Sequence, residues 1–304
     1  MGQQERRGAA VIRKFLLTVA AAAALAMPAM ADPLAKDVFG RVPGPTAGTP
    51  VSIGTYSKGC VSGAAQLPES GPTWQAMRLS RNRNWGHPDM VGFVMGLSQA
   101  AAKMGWKGIY VGDMSQSRGG PMLTGHASHQ LGLDADIWML PPASLSLTPA
   151  QRESISSISV VAKNGLGVNG NWTRGHAGLI QSAAMDPRVD RIFLDAAIKV
   201  AMCDMNGDRG AWLQKLRPTP NHDYHFHVRL NCPAGSGTGC QNTAAPVAAL
   251  SGNDNGCGAA RQELAYRANP STRPKYTPDP DYRHPRSFRL SEMPRQCQAV
   301  ATAR

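Results

Sequence analysis

Two short segments hold five of the chain's eight histidines: GHASHQLGLDAD, from Gly125 to Asp136, and NHDYHFHVRL, from Asn221 to Leu230. Neutral imidazoles and a carboxylate can hold a divalent metal such as zinc, and further imidazoles beside it can move protons near neutral pH. His129 and Asp136 are seven residues apart, across a turn that Gly132 permits. His225-x-His227 puts two rings on one face of a strand, because side chains alternate there. His129, Asp136 and His227 therefore make a two-histidine, one-carboxylate ligand set that leaves one position open. His225 is then the natural general base, and His222 could orient or stabilise an oxyanion. His126, three residues before His129, is a further ligand or an active-site companion. Asp134 shares a strand face with Asp136 and could hold a ligand imidazole in the right tautomer. A lone histidine is more often structural, but imidazoles crowded side by side repel when charged, so clusters of this kind point to a metal. His87 reads as a helix-start residue, His176 as a loop residue, and His284 has no nearby partner. The tryptophans are scattered and read as core.

The elements that must position these groups follow from periodicity. A helix should start at His87-Pro88-Asp89, since Met90, Phe93, Val94, Leu97, Ala101 and Met104 recur at helical spacing before Gly105. Trp106 to Met114 is strand-like, and residues 115–125 form a loop into the first histidine segment. Leu133 to Leu140 reads as a strand with Asp134 and Asp136 on one face and Ile137 on the other. Thr148 to Val161 is expected to be helical, with Pro149 in the first turn, and Asp190 to Met202 as well. Tyr224 to Leu230 is the second motif strand. Residues 32–86, rich in Gly, Pro, Ser and Thr, read as an irregular wrapping segment.

The ends of the chain speak to export. Arg6, Arg7, Arg13 and Lys14 precede the apolar run Phe15–Ala26, and Ala29-Met30-Ala31 is a small-x-small cleavage site. This is the pattern of a secretory signal peptide at 1–31, and its apolar run is too short to span a bilayer. The expectation is an exported bacterial protein, in the periplasm or outside the cell, with no integral membrane contact. Cys60, Cys203, Cys232, Cys240, Cys257 and Cys297 are even in number and form no C-x-x-C pair, which favours disulfides in an oxidising compartment and leaves their connectivity open. Removing residues 1–31, with four basic residues and Glu5, would leave about +9 of the chain's +12. The basic residues form no stripe with interleaved aromatics, so nucleic acid is a poor fit, and an anionic insoluble substrate is a better one. The remainder, 32–304, is read as a single domain in which the Cys- and Pro-rich segment 231–304 is stapled back onto the body. The oligomeric state stays open, a homodimer included.

The spacing His129-x6-Asp136 followed by His225-x-His227 resembles the lysostaphin, D-Ala-D-Ala peptidase and hedgehog metallopeptidase superfamily. VGDM, GHASHQLGLDADIW, DRIFLDAAIK, HFHVRLNCP and NGCGA are similar to the penicillin-insensitive murein endopeptidase family within it. The resemblance implies an α+β fold, a small antiparallel sheet flanked by helices with the site in an open groove and disulfide-stapled, loop-rich ends. It implies one Zn2+ on His129, Asp136 and His227, His225 in the catalytic role, and His222 and His126 as active-site companions. It further implies disulfides Cys60–Cys297, Cys203–Cys257 and Cys232–Cys240. The implied substrate is crosslinked peptidoglycan, cut between D-alanine and meso-diaminopimelate, with some action on L,D-type crosslinks. In one place the chain departs from the family: where relatives can carry Asp-Gly-x-His for a second metal, it has Asn164-Gly165-Leu166-Gly167. Two other readings remain: a D,D- or L,D-carboxypeptidase using the same site, and a zinc- or wall-binding protein without catalysis.

Overall fold

Strand β10 (His225–Leu230) lies at the centre of the main sheet, and its pairing decides what the second histidine segment faces. The computed structural model describes residues 32–234, 236 and 239–303; the leader expected at 1–31 lies outside them. The stretch expected to be irregular instead carries helix α1 (Ala35–Phe39) and short strands β1 (Val51–Thr55), β2 (Lys58–Ser62), β3 (Ala65–Gln66), β4 (Trp74–Ala76) and β5 (Trp85–Gly86). Strands this short show little periodicity between their turn residues, which is why they are hard to read.

Helix α2 (Pro88–Lys103) begins where its signals place it. His87 accepts from the Asp89 N–H at 3.2 Å, and Pro88 occupies the first turn, where its missing N–H costs nothing. Its apolar face, including Met90, Val94 and Leu97, packs into the main core. Strands β6 (Ile109–Val111) and β7 (Asp134–Trp138) follow, then α3 (Pro149–Ser154), α4 (Arg174–Met185), β8 (Val189–Leu194), α5 (Ala196–Met205) and β9 (Leu216–Pro218). After β10 come β11 (Cys240–Gln241), α6 (Cys257–Ala268) and α7 (Arg295–Thr302).

The main sheet has the order β4-β6-β7-β10-β8-β9. Its centre is antiparallel, while the two outer pairs, β4 with β6 and β8 with β9, are parallel. Against β7, His225 pairs with Trp138, His227 with Asp136, and Arg229 with Asp134. Directly opposed residues share a face, so this register gathers the histidines and aspartates on one side. Phe226, Val228, Ala135 and Ile137 turn to the other side, into a core shared with α2 and α4.

Three further expectations need correction. The helix expected over Asp190–Met202 is strand β8 followed by helix α5. Val189, Ile192 and Leu194 are buried as β8 pairs with β10, and Asp195 then caps α5 by accepting from the Ala197 N–H at 2.8 Å. The helix expected over Thr148–Val161 stops at Ser154, after a capping box between Thr148 and Gln151. His176 is in α4, not in a loop: its ring is buried between Trp106 and Trp172, and Nε2 bonds the Met139 carbonyl at 2.7 Å.

The ends are stapled as the resemblance implied. Cys60–Cys297, Cys203–Cys257 and Cys232–Cys240 are all bonded. The first sits in a second small core with Phe39, Ile53, Met293 and Val300. Arg118 donates to the carbonyls of Val300 and Ala303 at 2.8 and 2.7 Å, satisfying orphan acceptors at the end of α7. Pro33–Arg304 forms one compact unit. Among the described residues no helix is long and apolar enough to cross a membrane.

Candidate metal centre

His129 occupies a left-handed backbone conformation, φ 67°, which a non-glycine residue adopts at a cost of roughly 1–3 kcal/mol. Three bonds hold it there. Its N–H donates to Asp134 Oδ2 at 2.9 Å, its carbonyl accepts from Ser115 Oγ at 2.6 Å, and its Nδ1 bonds the Met114 carbonyl. Gly132 makes the return to β7 possible: at φ 69°, a Cβ there would lie 2.8 Å from the His87 nitrogen.

The bond to the Met114 carbonyl puts the His129 proton on Nδ1 and leaves the Nε2 lone pair facing Asp136 Oδ1 at 3.5 Å. His227 donates Nε2–H to Asp134 Oδ1 at 2.8 Å, which leaves its Nδ1 lone pair facing the same Asp136 oxygen, also at 3.5 Å. Three acceptors thus converge with no donor among them. His129 Nε2 and Asp136 Oδ1 are buried without a hydrogen-bond partner, an arrangement that costs ~1–3 kcal/mol per group unless a cation completes it. Zinc bonds of about 2.0–2.1 Å at tetrahedral angles would separate ligand atoms by about 3.4 Å, so the spacing fits.

The electrostatics of His227 and Asp136 agree. Burial pushes His227 down to about 3, so it is neutral as a ligand must be. Burial opposes ionisation of Asp136, but the surrounding His225, His129 and His126 hold its carboxyl well below the usual range. Burial pushes His129 down too, yet the opposed Asp136 outweighs it and the net shift is upward. Asp134 is buried as well, and Arg229, donating Nε–H at 2.8 Å, together with His227 keeps it ionised.

Around this centre the other expected residues fall into place unevenly. The ligand atoms of His126, His129 and Asp136 lie within 4.8 Å of one another. His126 Nε2, however, lies 2.9 Å from Asp113 Oδ2 and 3.6 Å from Asp136 Oδ2, so that nitrogen carries its proton toward Asp113. His126 could ligate through it only by giving up that bond. His225 Nε2 stands 3.7 Å from Asp136 Oδ1, and burial lowers its pKa. His222 sits further out, half-buried, with Nδ1 on the Pro220 carbonyl at 2.8 Å and its ring centroid 4.9 Å from that of His225.

Sequence reasoning missed Asp113. It was visible only as part of VGDM, yet Arg81, Arg83 and His126 all bond its Oδ2, at 3.0, 2.8 and 2.9 Å. Burial opposes its ionisation, but these donors hold it well below the usual carboxylate range. A cavity of about 400 Å3 opens over Asp136, His126 and His225 and is walled by Arg78, Trp138 and Tyr224. Gly112 forms part of its floor, where a Cβ would lie 2.9 Å from Trp138 Nε1. The site is therefore a buried set of lone pairs at the base of an open pocket, with further imidazoles on its rim.

Comparison with known proteins places this architecture. The family model for penicillin-insensitive murein endopeptidase, peptidase family M74, matches residues 52–302. A penicillin-insensitive murein endopeptidase of Haemophilus influenzae is 43% identical over 74% of this chain and 78% of its own length. Proteins of the same name from Klebsiella pneumoniae and Escherichia coli K12 are 38% and 36% identical, covering 91% and 92% of this chain and 96% of each relative.

Proposed function

Since this chain belongs to the penicillin-insensitive murein endopeptidase family, we propose that it is a zinc-dependent hydrolase of peptidoglycan crosslinks. The bond is the amide between D-alanine and the D-centre amine of meso-diaminopimelate, with L,D-type crosslinks as a secondary substrate. The observation that carries this reading is the meeting of three lone pairs, from His129 Nε2, His227 Nδ1 and Asp136 Oδ1, with two of those atoms buried and orphaned. His129, Asp136 and His227 would hold the metal, and Asp134 and the Met114 carbonyl fix which imidazole nitrogen faces it.

Zinc in that position supplies Lewis acidity for amide hydrolysis. His225, pushed toward its neutral form and beside Asp136, takes a proton from the attacking water and passes it to the leaving amine. His222 and His126 stand beside that path; each has one ring N–H committed, to the Pro220 carbonyl and to Asp113, and stabilises the developing oxyanion when its ring carries the second proton. Asp113 holds His126 toward the pocket. No serine nucleophile takes part, so a β-lactam has nothing to acylate. Export to the periplasm, through the leader at 1–31 and followed by folding of 32–304 as one domain, brings the enzyme to its polymer.

The test is chromatography of purified sacculi and muropeptides after digestion, with and without a chelator. Conversion of dimers to monomers, lost on chelation and restored by zinc, is expected. Trimming of one terminal residue with dimers left intact would mark a carboxypeptidase. Zinc-loaded protein inert on both substrates would mark a binding protein.

A further inference from the structure

The pocket wall facing the candidate metal centre carries more positive charge than its own contacts use. Arg78, Arg81 and Arg83 sit on one stretch of chain, and Arg78 and Asn82 both have positive φ, 57° and 51°. Non-glycine residues held in that conformation cluster where a binding geometry is built in. Arg83 is fully engaged, with NH1 on Asp113 at 2.8 Å and NH2 on the Thr124 carbonyl and hydroxyl at 3.0 and 3.1 Å. Arg81, half-exposed, shares the same Asp113 oxygen at 3.0 Å. Arg78 has no ion pair among the described residues. Its guanidinium lies 5.8 Å from the centre of the Trp138 ring, and NH2 donates to Ser156 Oγ at 3.2 Å. Glu153, which feels both Arg78 and Arg81, is instead bonded to the Ser80 N–H and hydroxyl at 2.9 Å. Arg78 is therefore steadied by an aromatic face and a hydroxyl, with most of its planar fork left open toward the cavity that also exposes Asp136 and His225.

A planar, steadied guanidinium with free donors selects a carboxylate. If the chain cleaves D-alanyl–diaminopimelyl crosslinks as proposed above, one carboxylate has a fixed place. The leaving amine sits on the D-centre of diaminopimelate, and that same carbon bears a free carboxylate. When the scissile amide lies at Asp136 and His225, this carboxylate reaches the adjoining wall of one small cavity. We propose that Arg78, backed by Trp138 and Ser156 and assisted by the charge of Arg81, binds the D-centre carboxylate beside the scissile bond and so sets specificity for crosslinks that carry it unmodified. An endopeptidase of this kind reads its leaving group as a carboxypeptidase reads a chain end.

The inference rests on the endopeptidase reading, and paired substrates separate the two. Kinetics are measured with the zinc-loaded mature chain on two soluble crosslinked muropeptide dimers. One has the D-centre carboxylate free, and the other has it as the primary amide. Wild-type kcat/KM should fall roughly 10- to 100-fold on amidation, the range for losing a charge-assisted hydrogen bond. Arg78→Gln should lose a similar factor on the free acid and show little preference between the dimers. Arg78→Lys, which keeps the charge without the fork, should restore part of the preference, and it also serves if the glutamine variant folds poorly. Zinc content should be unchanged in both variants. Equal cleavage of the two dimers by wild type overturns the proposal while leaving the endopeptidase reading standing. So does a wild-type preference retained in Arg78→Gln. Wild-type protein that cleaves neither dimer overturns the endopeptidase reading and the proposal with it.

Discussion

Replacing Asp134 with asparagine keeps the shape of a fully buried side chain and removes its charge and half of its accepting capacity. Asp134 Oδ1 takes N–H groups from His227 and Arg229, both at 2.8 Å, and Oδ2 takes the His129 backbone N–H at 2.9 Å. An asparagine offers one oxygen and one NH2 group. In either orientation at least one of the three donors meets another donor, and Arg229, only 11% exposed, loses its counter-ion. Each charged-group hydrogen bond is worth about 1.5–3 kcal/mol, and breaking one side of a buried pair costs about 3–5 kcal/mol. A chain of this size should then melt roughly 5–9 °C lower when stripped of metal. His227 would also lose the bond that fixes its proton on Nε2, so zinc affinity should fall about 10- to 100-fold. Competition against a chromophoric chelator gives the affinity, and melting of the chelated, oxidised protein gives the stability. Wild-type zinc affinity in Asp134→Asn would refute the tautomer argument even if the melting point fell. A wild-type melting point as well would refute the account of the buried network.

Three further outcomes follow from other parts of the molecule. His225→Ala should keep its zinc and lose ~10²–10⁴-fold in turnover, whereas His227→Ala should lose both; metal content measured beside muropeptide kinetics decides, and the opposite pattern would reverse the two roles. Joint replacement of Cys60 and Cys297 by serine should lower stability by up to about 5.5 kcal/mol on the chain-entropy model and expose the tail to proteolysis, with zinc retained; limited proteolysis and melting would show it, and an unchanged digestion pattern would contradict it. Lys199 is fully buried, with Nζ donating to the carbonyls of Leu213 and Asn255, and burial followed by the charge of Arg217 pushes it down to about 7. The unfolded chain holds that proton up to ~10.4, so the cost of charging Lys199 is fully present below pH 7 and is relieved as pH rises toward 10; unfolding free energy should rise with pH in that window by up to ~1.4 kcal/mol per unit more in wild type than in Lys199→Met, and parallel curves would contradict the assignment.

What could be read from the sequence was the part governed by short periods. His225-x-His227 alternates along one strand, and the expected helix start at His87 carries its own capping chemistry. The register that brings His227 opposite Asp136 is a long-range pairing, and no local pattern encodes it. Ile192, Phe193, Ala196, Ala197 and Val200 fit a helical stripe, but the sheet took the first two residues because β10 offered a partner. The cue was Asp195, a capping residue standing directly before an alanine pair. His176 looked like loop chemistry because it follows Gly175 directly and one of the two rings that enclose it, Trp106, comes from a distant part of the chain. Asp113, Arg78 and Arg81 read as scattered charge, since only folding brings them to one pocket, with Arg83 bonded to Asp113 beside it.

The central claim is that the buried lone pairs of His129, His227 and Asp136 form a zinc site. Anomalous diffraction across the zinc edge, from crystals of zinc-loaded protein, tests it most directly. The account predicts one strong peak within bonding distance, about 2.0–2.2 Å, of His129 Nε2, His227 Nδ1 and Asp136 Oδ1, with His126 still on Asp113. A peak lying between His126 and Asp113, or no peak at this face of the sheet in protein that cleaves crosslinks, would contradict it.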